Sequence, residues 1–575
     1  MITKNIKNII VACFVCCGLA ATLTSCSDFY DPSTDDELSG DDYISSHTEM
    51  YTGFLGILTK VQTIGDKEIL LTEPRGELIE TTSNSNSELI ALYNYEPNLQ
   101  DNSYADPAGY YEVINTCNDY LARMEKYHSN PNVDETEWKA FVASTMRIKV
   151  WTYKTLGEIY GQALWFDHAV EKVTDIHLGD EYQLLSMQQI AEKCLSLLDN
   201  GYKGVSLDLE ADWVAMLDKA NIASPASSPY YYWNSNIPHY PGLVAELTLW
   251  KAAYMDAAGQ NATVEYKRVA DILLEAVNKY INDQNTSGNP GYWIPSSPIA
   301  GKYQKFWDNT TPYRQESVTA ITYDYQHNQT NTLLHHFSNE FPNKYLLRPS
   351  LVGMERHLDN KFNPGGMSSD NNRYRYTFGD REGTNPYIAK FRPKGSTVRP
   401  YAYQDDVHIY IYRSMQYHLM IIEALNHLKR FSAMSICLNN GFAAFQPEEF
   451  DNPEYEGFTQ NWSKTAVWGS RSYAHLGIRG QYGLGTRTVK ENMVDLGERA
   501  TCRFNDMAIL DEVMLEFGCE GKVYPWMNRM AVRYNDPSII ADRVCPKYEA
   551  VGKDAEIRAK IMAGGFWVPY DLGIK

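Results

Sequence analysis

Aromatic side chains on irregular stretches of chain are the residues of this sequence best suited to recognition chemistry. Tyr230-Tyr231-Tyr232-Trp233 follows a Ser/Pro-rich segment, Tyr292-Trp293 lies within Asn-Pro-Gly-Tyr-Trp-Ile-Pro, and Tyr303, Phe306 and Trp307 come shortly after. The chain holds 42 tyrosines and 12 tryptophans, so most rings must serve the core or pack under loops. Rings on loops are a separate case, because a rigid π-face gives contact area at little entropic cost and stacks on sugar rings or flat apolar ligands. Few cations stand among these residues, which favours a neutral ligand held by stacking over one held by ion pairs. Trp233, Tyr292, Trp293 and Trp307 are the candidate platform.

A second chemical position is a thiol, Cys26. Lys4 and Lys7 precede an apolar run from Ile9 to Leu23, which ends in Leu23-Thr24-Ser25-Cys26. This is the order of a removable export signal: charged, apolar, then a small-residue cleavage site. A run of roughly 15 residues is short of the ~20 that a spanning helix needs. The small residue before the cysteine resembles the lipobox of bacterial lipoproteins, which makes residues 1–25 a signal peptide and Cys26 the lipidated first residue of the mature chain. Acyl chains contribute about 0.8 kcal/mol per buried CH₂ and hold a protein to a membrane without a span. Residues 26–50 then read as a tether, carrying Asp28, Asp31, Asp35, Asp36, Glu37, Asp41 and Asp42 with no Lys or Arg before Lys60. Like charges keep such a segment extended.

Composition and motifs narrow the remaining chemistry. Lys+Arg total 52 against Asp+Glu 72, a formal charge of −20, and removing Lys4 and Lys7 takes the mature chain to −22. Nucleic acid is therefore not an expected partner, since phosphate binding requires a basic surface. Six cysteines remain after Cys26, at 117, 194, 437, 502, 519 and 545, without the CxxC or Cys/His spacing of a zinc site. Disulfides are open to an exported chain, but spacing does not pair these six. There is no Gly-x-Ser-x-Gly elbow, no His-Glu-x-x-His and no phosphate-binding Gly-x-x-x-x-Gly-Lys-Ser/Thr. Gly477 to Gly485 is glycine-rich but lacks the following Lys-Ser/Thr and reads as a loop. His335 and His336 are adjacent and would point apart. No metal, cofactor or catalytic residue is expected, although paired carboxylates for glycoside hydrolysis are defined by spatial separation and stay open here.

The elements that must position the aromatic segments are helices. Apolar residues recur at helical spacing over Ala108–Tyr127, Glu137–Tyr160, Met187–Leu198, Pro241–Ala258, Val264–Ile281, Asp406–Phe431 and Ala508–Met530. Short polar breaks at His128–Asp134 and Gly259–Asn261 make antiparallel pairs of their neighbours. The fold class is mainly α, a tetratricopeptide-like scaffold of helix pairs without a clean 34-residue repeat. From 282 to 401 the pattern fails and Pro, Gly, Asn and aromatics dominate. Long loops with short strands are expected there, and such loops on a rigid scaffold tend to carry binding residues.

Several motifs, in order along the chain, resemble the SusD/RagB outer-membrane lipoproteins of Bacteroidetes. Tyr110-Tyr111-Glu112-Val113-Ile114-Asn115, then Arg147-Ile148-Lys149-Val150-Trp151-Thr152-Tyr153 and Tyr160-Gly161, are similar to the family's early helix pair and its turn. The run from Tyr412-Arg413 through Leu419, Glu423-Ala424 and Asn426 to Ala433 and Leu438-Asn439 resembles its later pair. Leu510-Asp511-Glu512, Glu516-Phe517 and Glu520-Gly521 complete the match. After Lys522 the family usually continues with an arginine, aromatics and Asp-Leu, whereas this chain reads Val523-Tyr524-Pro525-Trp526-Met527, and its tail reads Phe566-Trp567-Val568-Pro569. Arg413 and Glu423, ten residues apart, would stand roughly 15 Å apart along one helix. Each is expected to be satisfied by a neighbouring helix and to hold the scaffold together.

The resemblance implies one SusD-like helical domain over 51–575, with its ligand-binding region at about 282–401. It implies a noncatalytic lipoprotein that captures oligo- or polysaccharide and passes it to a SusC-like TonB-dependent transporter. The acidic tether is similar to the surface-export signal of Bacteroidetes lipoproteins, which implies the outer face of the outer membrane. A peptide-capturing relative, a surface glycoside hydrolase and a purely structural surface protein are the alternatives. No binding residue is carried over from the family, because the mid-chain loops show no residue-by-residue match. Replacing Cys26 with alanine should abolish metabolic labelling with lipid and release the protein from the membrane fraction; equal lipid incorporation in the variant contradicts the lipobox.

Overall fold

The computed structural model describes residues 44, 46–170, 177–220, 236–282, 317–325, 328–367, 372–391, 407–439, 453–458, 477–480, 484–491, 493 and 497–572. Its first helix, His47–Ile64, starts from a capping box in which Ser46 accepts from the Glu49 amide and Glu49 returns the bond. It packs on Ala108–His128, which pairs with Glu135–Tyr160 across the polar break read from the sequence. Asp134 caps that second helix through the Thr136 and Glu137 amides. Gly161 ends it in the left-handed conformation (φ 72°), where an added Cβ would lie 2.8 Å from the Trp567 ring, so close packing and backbone angle both require glycine.

Helix pairs then follow one another in space as they do in sequence. Met187–Asn200 packs on Glu135–Tyr160 and on Tyr240–Ala257. Tyr240–Ala257 pairs with Thr263–Asn282, which packs on Ser414–His427. Ser414–His427 pairs with Phe431–Asn439 and meets Gly497–Phe517, and the last of these pairs with Val523–Tyr534. The fold is mainly helical, as the periodicity indicates. Strands are short and come as two-stranded antiparallel pairs: Ile79–Thr81 with Leu347–Pro349, Gln162–Trp165 with Gln183–Ser186, Ser317–Thr322 with His408–Arg413, and Phe378-Gly379 with Tyr387-Ile388.

Three sequence expectations are corrected. The helix expected from Asp406 begins only at Ser414, because His408–Arg413 is a strand buried on both faces, in register from Ser317↔Arg413 to Thr322↔His408. A continuous apolar run gives no periodicity to separate strand from helix. Ala508–Met530 is not one helix but the end of Gly497–Phe517 and the start of Val523–Tyr534. The break falls at Gly518–Gly521, where Cys519 and Gly521 take positive φ and Leu78 leaves no room for a Cβ on Gly518. Gly477–Gly480 is a single helical turn instead of loop, fixed by the buried Arg479. Within 282–401 the described residues include the expected short strands, with short helices Leu333–Phe337, Leu351–Leu358 and Asn372–Thr377 beside them.

The helical layers are joined by buried charge. Glu512 accepts from Arg373 (2.9 Å), Arg487 (2.8 Å) and Arg479. One turn on, Glu516 accepts from Arg413 (2.7 Å) and Arg373 (3.1 Å), and Glu520 from Arg413 (2.8 Å) and Lys390 (2.6 Å). Glu423 binds Arg529 (2.6 Å) and Arg533, and Arg533 also reaches Asp506 (2.8 Å). Arg413 and Glu423 are thus each held by a neighbouring element, as expected. Asn426 donates to the Cys502 carbonyl and to Asp506, and Asn439 exchanges two bonds with the Arg487 backbone. Breaking a buried pair leaves an uncompensated charge and costs about 3–5 kcal/mol. Glu512→Gln should lower unfolding stability by about that amount, read from the denaturant midpoint; an unchanged midpoint would show that the three arginines are satisfied without the carboxylate.

Candidate ligand-binding site

Trp233, Tyr292, Trp293, Trp307 and Cys26 lie outside the described residues. The described chain that follows each of the two aromatic segments meets at one place. The Tyr230–Trp233 segment rejoins the body at Ile237, whose carbonyl accepts from Thr319 Oγ1 at 3.4 Å. Thr319 belongs to Ser317–Thr322, the strand on which the segment carrying Tyr292, Trp293 and Trp307 rejoins the body. His239, two residues past Ile237, bonds the Tyr417 hydroxyl at 2.6 Å and stacks on its ring with centroids 5.9 Å apart. The partner strand His408–Arg413 leads into the same helix as Tyr417. Ile237 and the Ser317–Thr322 strand, the described chain after each candidate segment, thus meet at one two-stranded sheet.

The aromatics of that anchor are packing residues. Tyr412 is fully buried and donates to Glu246 at 3.0 Å, Tyr323 donates to the Gln62 carbonyl at 2.6 Å, and the Tyr412 and Tyr417 side chains close over Gly242. An added Cβ at Gly242 would sit 2.7 Å from the Tyr417 hydroxyl.

Two groups of residues bear on catalysis. Burial raises the Glu73 carboxyl to about 7 against a hydrogen bond from the Gly521 amide (2.7 Å), and burial likewise raises Glu158 to about 7 against Lys154 (2.6 Å). A raised carboxyl suits a general acid, but both are buried and occupied, Glu158 also by the Trp250 indole (2.8 Å). Three acids of the buried network, Glu423, Asp506 and Glu512, are held below the ordinary carboxylate range, burial being outweighed by their arginines and, at Asp506, by His427. His336 is buried, with Tyr104 on one ring nitrogen (3.0 Å) and the Thr332 carbonyl on the other (2.7 Å). Among the described residues no three His, Cys, Asp or Glu side chains come together as a metal site. All six remaining cysteines are buried free thiols, and burial pushes Cys117 and Cys502 up to about 12. No described helix is long and apolar enough to cross a membrane.

No protein-family model matches the chain, and no curated protein matches its sequence. Solved structures do match its fold. A SusD superfamily protein from Bacteroides vulgatus ATCC 8482 aligns with TM-score 0.57 and 11% identity, over 91% of this chain and 95% of its own. The fold is SusD-like. A laminarin binding SusD-like protein aligns with TM-score 0.55 and 12% identity over 87% of this chain and 94% of its own. Surface glycan-binding protein A from Bacteroides thetaiotaomicron aligns with TM-score 0.52 and 12% identity over 87% and 92%.

The SusD-like body also contains a feature that the sequence did not disclose. A cleft of about 410 Å³ opens between the Pro97–Gln100 loop, the Gln162–Ser186 hairpin and the C-terminal tail at Pro569–Leu572. It joins segments hundreds of residues apart, and strands as short as the hairpin's four residues carry almost no periodic signal.

The raised Glu73 has a consequence for stability. Its folded value, about 7, lies above the ~4.3 of an exposed glutamate, so between the two the folded state keeps a proton that the unfolded state has lost. Glu73 therefore stabilises less as pH rises from about 4.5 through 7. Glu73→Gln should gain stability relative to the parent by on the order of 2–3 kcal/mol between pH 5 and pH 8, in matched denaturant titrations. A pH-independent difference contradicts the assignment.

Proposed function

We propose that this chain is a noncatalytic, lipid-anchored glycan-binding protein on the outer face of the outer membrane, delivering oligo- or polysaccharide to a SusC-like TonB-dependent transporter. The observation that supports it most is the SusD-like fold, shared over most of the chain with a laminarin binding SusD-like protein and a surface glycan-binding protein. Cys26 supplies the anchor and the acidic residues after it the tether. Trp233, Tyr292, Trp293 and Trp307 form the sugar platform on segments that rejoin the body at one sheet.

Stacking suits this role because pyranose C–H faces are apolar while their hydroxyls stay hydrated, so a ring gains contact without desolvating charge. The raised carboxyls of the body are buried and paired, which supports binding without turnover.

The test is calorimetry of the soluble chain begun after Cys26, against neutral and uronic-acid polysaccharides and peptides, with alanine at each of the four positions. Loss of a stacking ring should weaken binding tenfold to a hundredfold, about 1–3 kcal/mol by analogy with hot-spot truncations. Unchanged affinity in all four variants discards the platform. Binding only to uronic acids or peptides discards the neutral-glycan reading, and released reducing sugar discards the noncatalytic one. Mild detergent extraction of the native anchored protein should recover a β-barrel partner across an interface above about 1,000 Å²; recovery alone in several detergents removes the transporter from the reading.

A further inference from the structure

The cleft beside the Gln162–Ser186 hairpin has the chemistry of a polypeptide groove. Its two strands, Gln162–Trp165 and Gln183–Ser186, pair with Leu164 opposite Leu184. Alternation sends Ala163, Trp165 and Leu185 into the core, where Trp165 stacks on Tyr153 at 3.9 Å, and Gln162, Leu164 and Leu184 toward the cleft. The tail covers the buried Leu164, while Leu184 stays 45% exposed and Leu178, five residues ahead of the second strand, 44% exposed. Pro97, Leu99, Pro569 and Leu572 complete aliphatic walls. The tail wall is fixed, because Gln100 donates to the Asp571 carbonyl at 2.6 Å and accepts from its amide at 3.1 Å.

The hydrogen-bond pattern shows which backbone groups of the outer strand are open. Met187 donates to the Gly161 carbonyl at 2.8 Å, whereas the Leu164 amide turns away to the Tyr111 hydroxyl (2.9 Å) and the Phe166 amide to the Tyr153 hydroxyl (3.1 Å). Leu164 and Leu184 are therefore a non-hydrogen-bonded pair, and the Leu184 N–H and C=O face outward along the edge away from Gln162–Trp165. Its neighbours on that edge are already engaged. The Ser186 amide donates to Gln189 at 2.9 Å, and the Tyr182 carbonyl accepts from Gly179 at 3.0 Å. Leu184 thus offers one donor and one acceptor, unclaimed by any described residue, beside an apolar cleft. Charge completes the pattern: Asp571 lines the cleft, Asp180 and Glu181 are exposed on the hairpin, and no described lysine or arginine lines it.

We infer that this cleft docks an extended segment of a partner polypeptide, one that forms a β-bridge with Leu184, buries aliphatic side chains against Leu178 and Leu184, and carries lysine or arginine toward Asp180 and Glu181. Backbone pairing supplies the affinity and side-chain pockets the selectivity in such edge recognition. A sugar ring would meet a single aromatic here, Tyr570, and walls of leucine and proline instead of a stacking platform. The inference does not rest on the glycan reading.

The probe is a set of capped heptapeptides alternating Val and Thr with Lys at both ends, added to the soluble chain begun after Cys26 and followed by fluorescence anisotropy and hydrogen exchange. Binding should slow exchange of the Leu184 amide. Leu178→Ser and Leu184→Ser, at exposed positions that leave the core intact, should each weaken binding tenfold or more. A central proline or terminal glutamates in the peptide should abolish it. The inference is overturned if no peptide of the set binds at millimolar concentration. Binding without Leu184 protection, binding that survives both serine substitutions, or a neutral oligosaccharide protecting Leu184 in the peptides' place also overturns it.

Discussion

The rest of this structure depends on one electrostatic constraint, the burial of a row of acids on and just after the Gly497–Phe517 helix. Desolvating a carboxylate costs several kcal/mol unless it is paired and hydrogen-bonded. Glu512, Glu516 and Glu520 therefore require cations from elsewhere, and these come from Arg373, Arg413, Arg479, Arg487 and Lys390. Each cation lies on a different stretch of chain, so pairing fixes where those stretches stand. Arg413 ends a strand, Arg479 sits on an isolated helical turn, and Arg373 opens a short helix in the region poorest in periodicity. Asp506 and Glu423 extend the arrangement to Arg529 and Arg533 on the next helix.

This clamp explains how a mostly helical scaffold carries long irregular insertions. Most helices pair with a sequence neighbour, although Val523–Tyr534 also packs on Tyr240–Ala257, and an insertion between Asn282 and His408 must be tied back at both ends. The Ser317–Thr322 and His408–Arg413 strands do so, and Arg413 passes the tie directly to Glu516 and Glu520. The described chain after each aromatic segment, at Ile237 and at Ser317, meets this sheet. Recognition by stacking needs such a support, since a ring that must also be ordered on binding loses part of its contact energy to entropy.

The same physics separates the groups that could act from those that only hold. Glu73 and Glu158 are raised into the range of a general acid, yet burial, the cause of the shift, also denies them a substrate. The cysteines follow the same logic, since thiols raised by desolvation are poor thiolates and sit in the core as small apolar residues.

By itself the sequence determined the helix pairs from Ala108 to Asn282, because apolar spacing and the polar breaks at His128–Asp134 and Gly259–Asn261 are local properties that act before any tertiary contact forms. It also marked Arg413 and Glu423 as scaffold residues and placed Asn426, Asn439, Glu512 and Glu516 in motifs of a family resemblance that the structural comparisons support at the level of fold. It could not tell the His408–Arg413 strand from the helix that follows, since a segment buried on both faces has no period. Nor could it foresee which arginine meets which glutamate, or that residues 97–100, 162–186 and 569–572 enclose one cleft. Those outcomes were decided by tertiary structure, for a physical reason: charge pairing and cleft shape depend on distances between segments far apart in the chain, and local spacing carries no information about them.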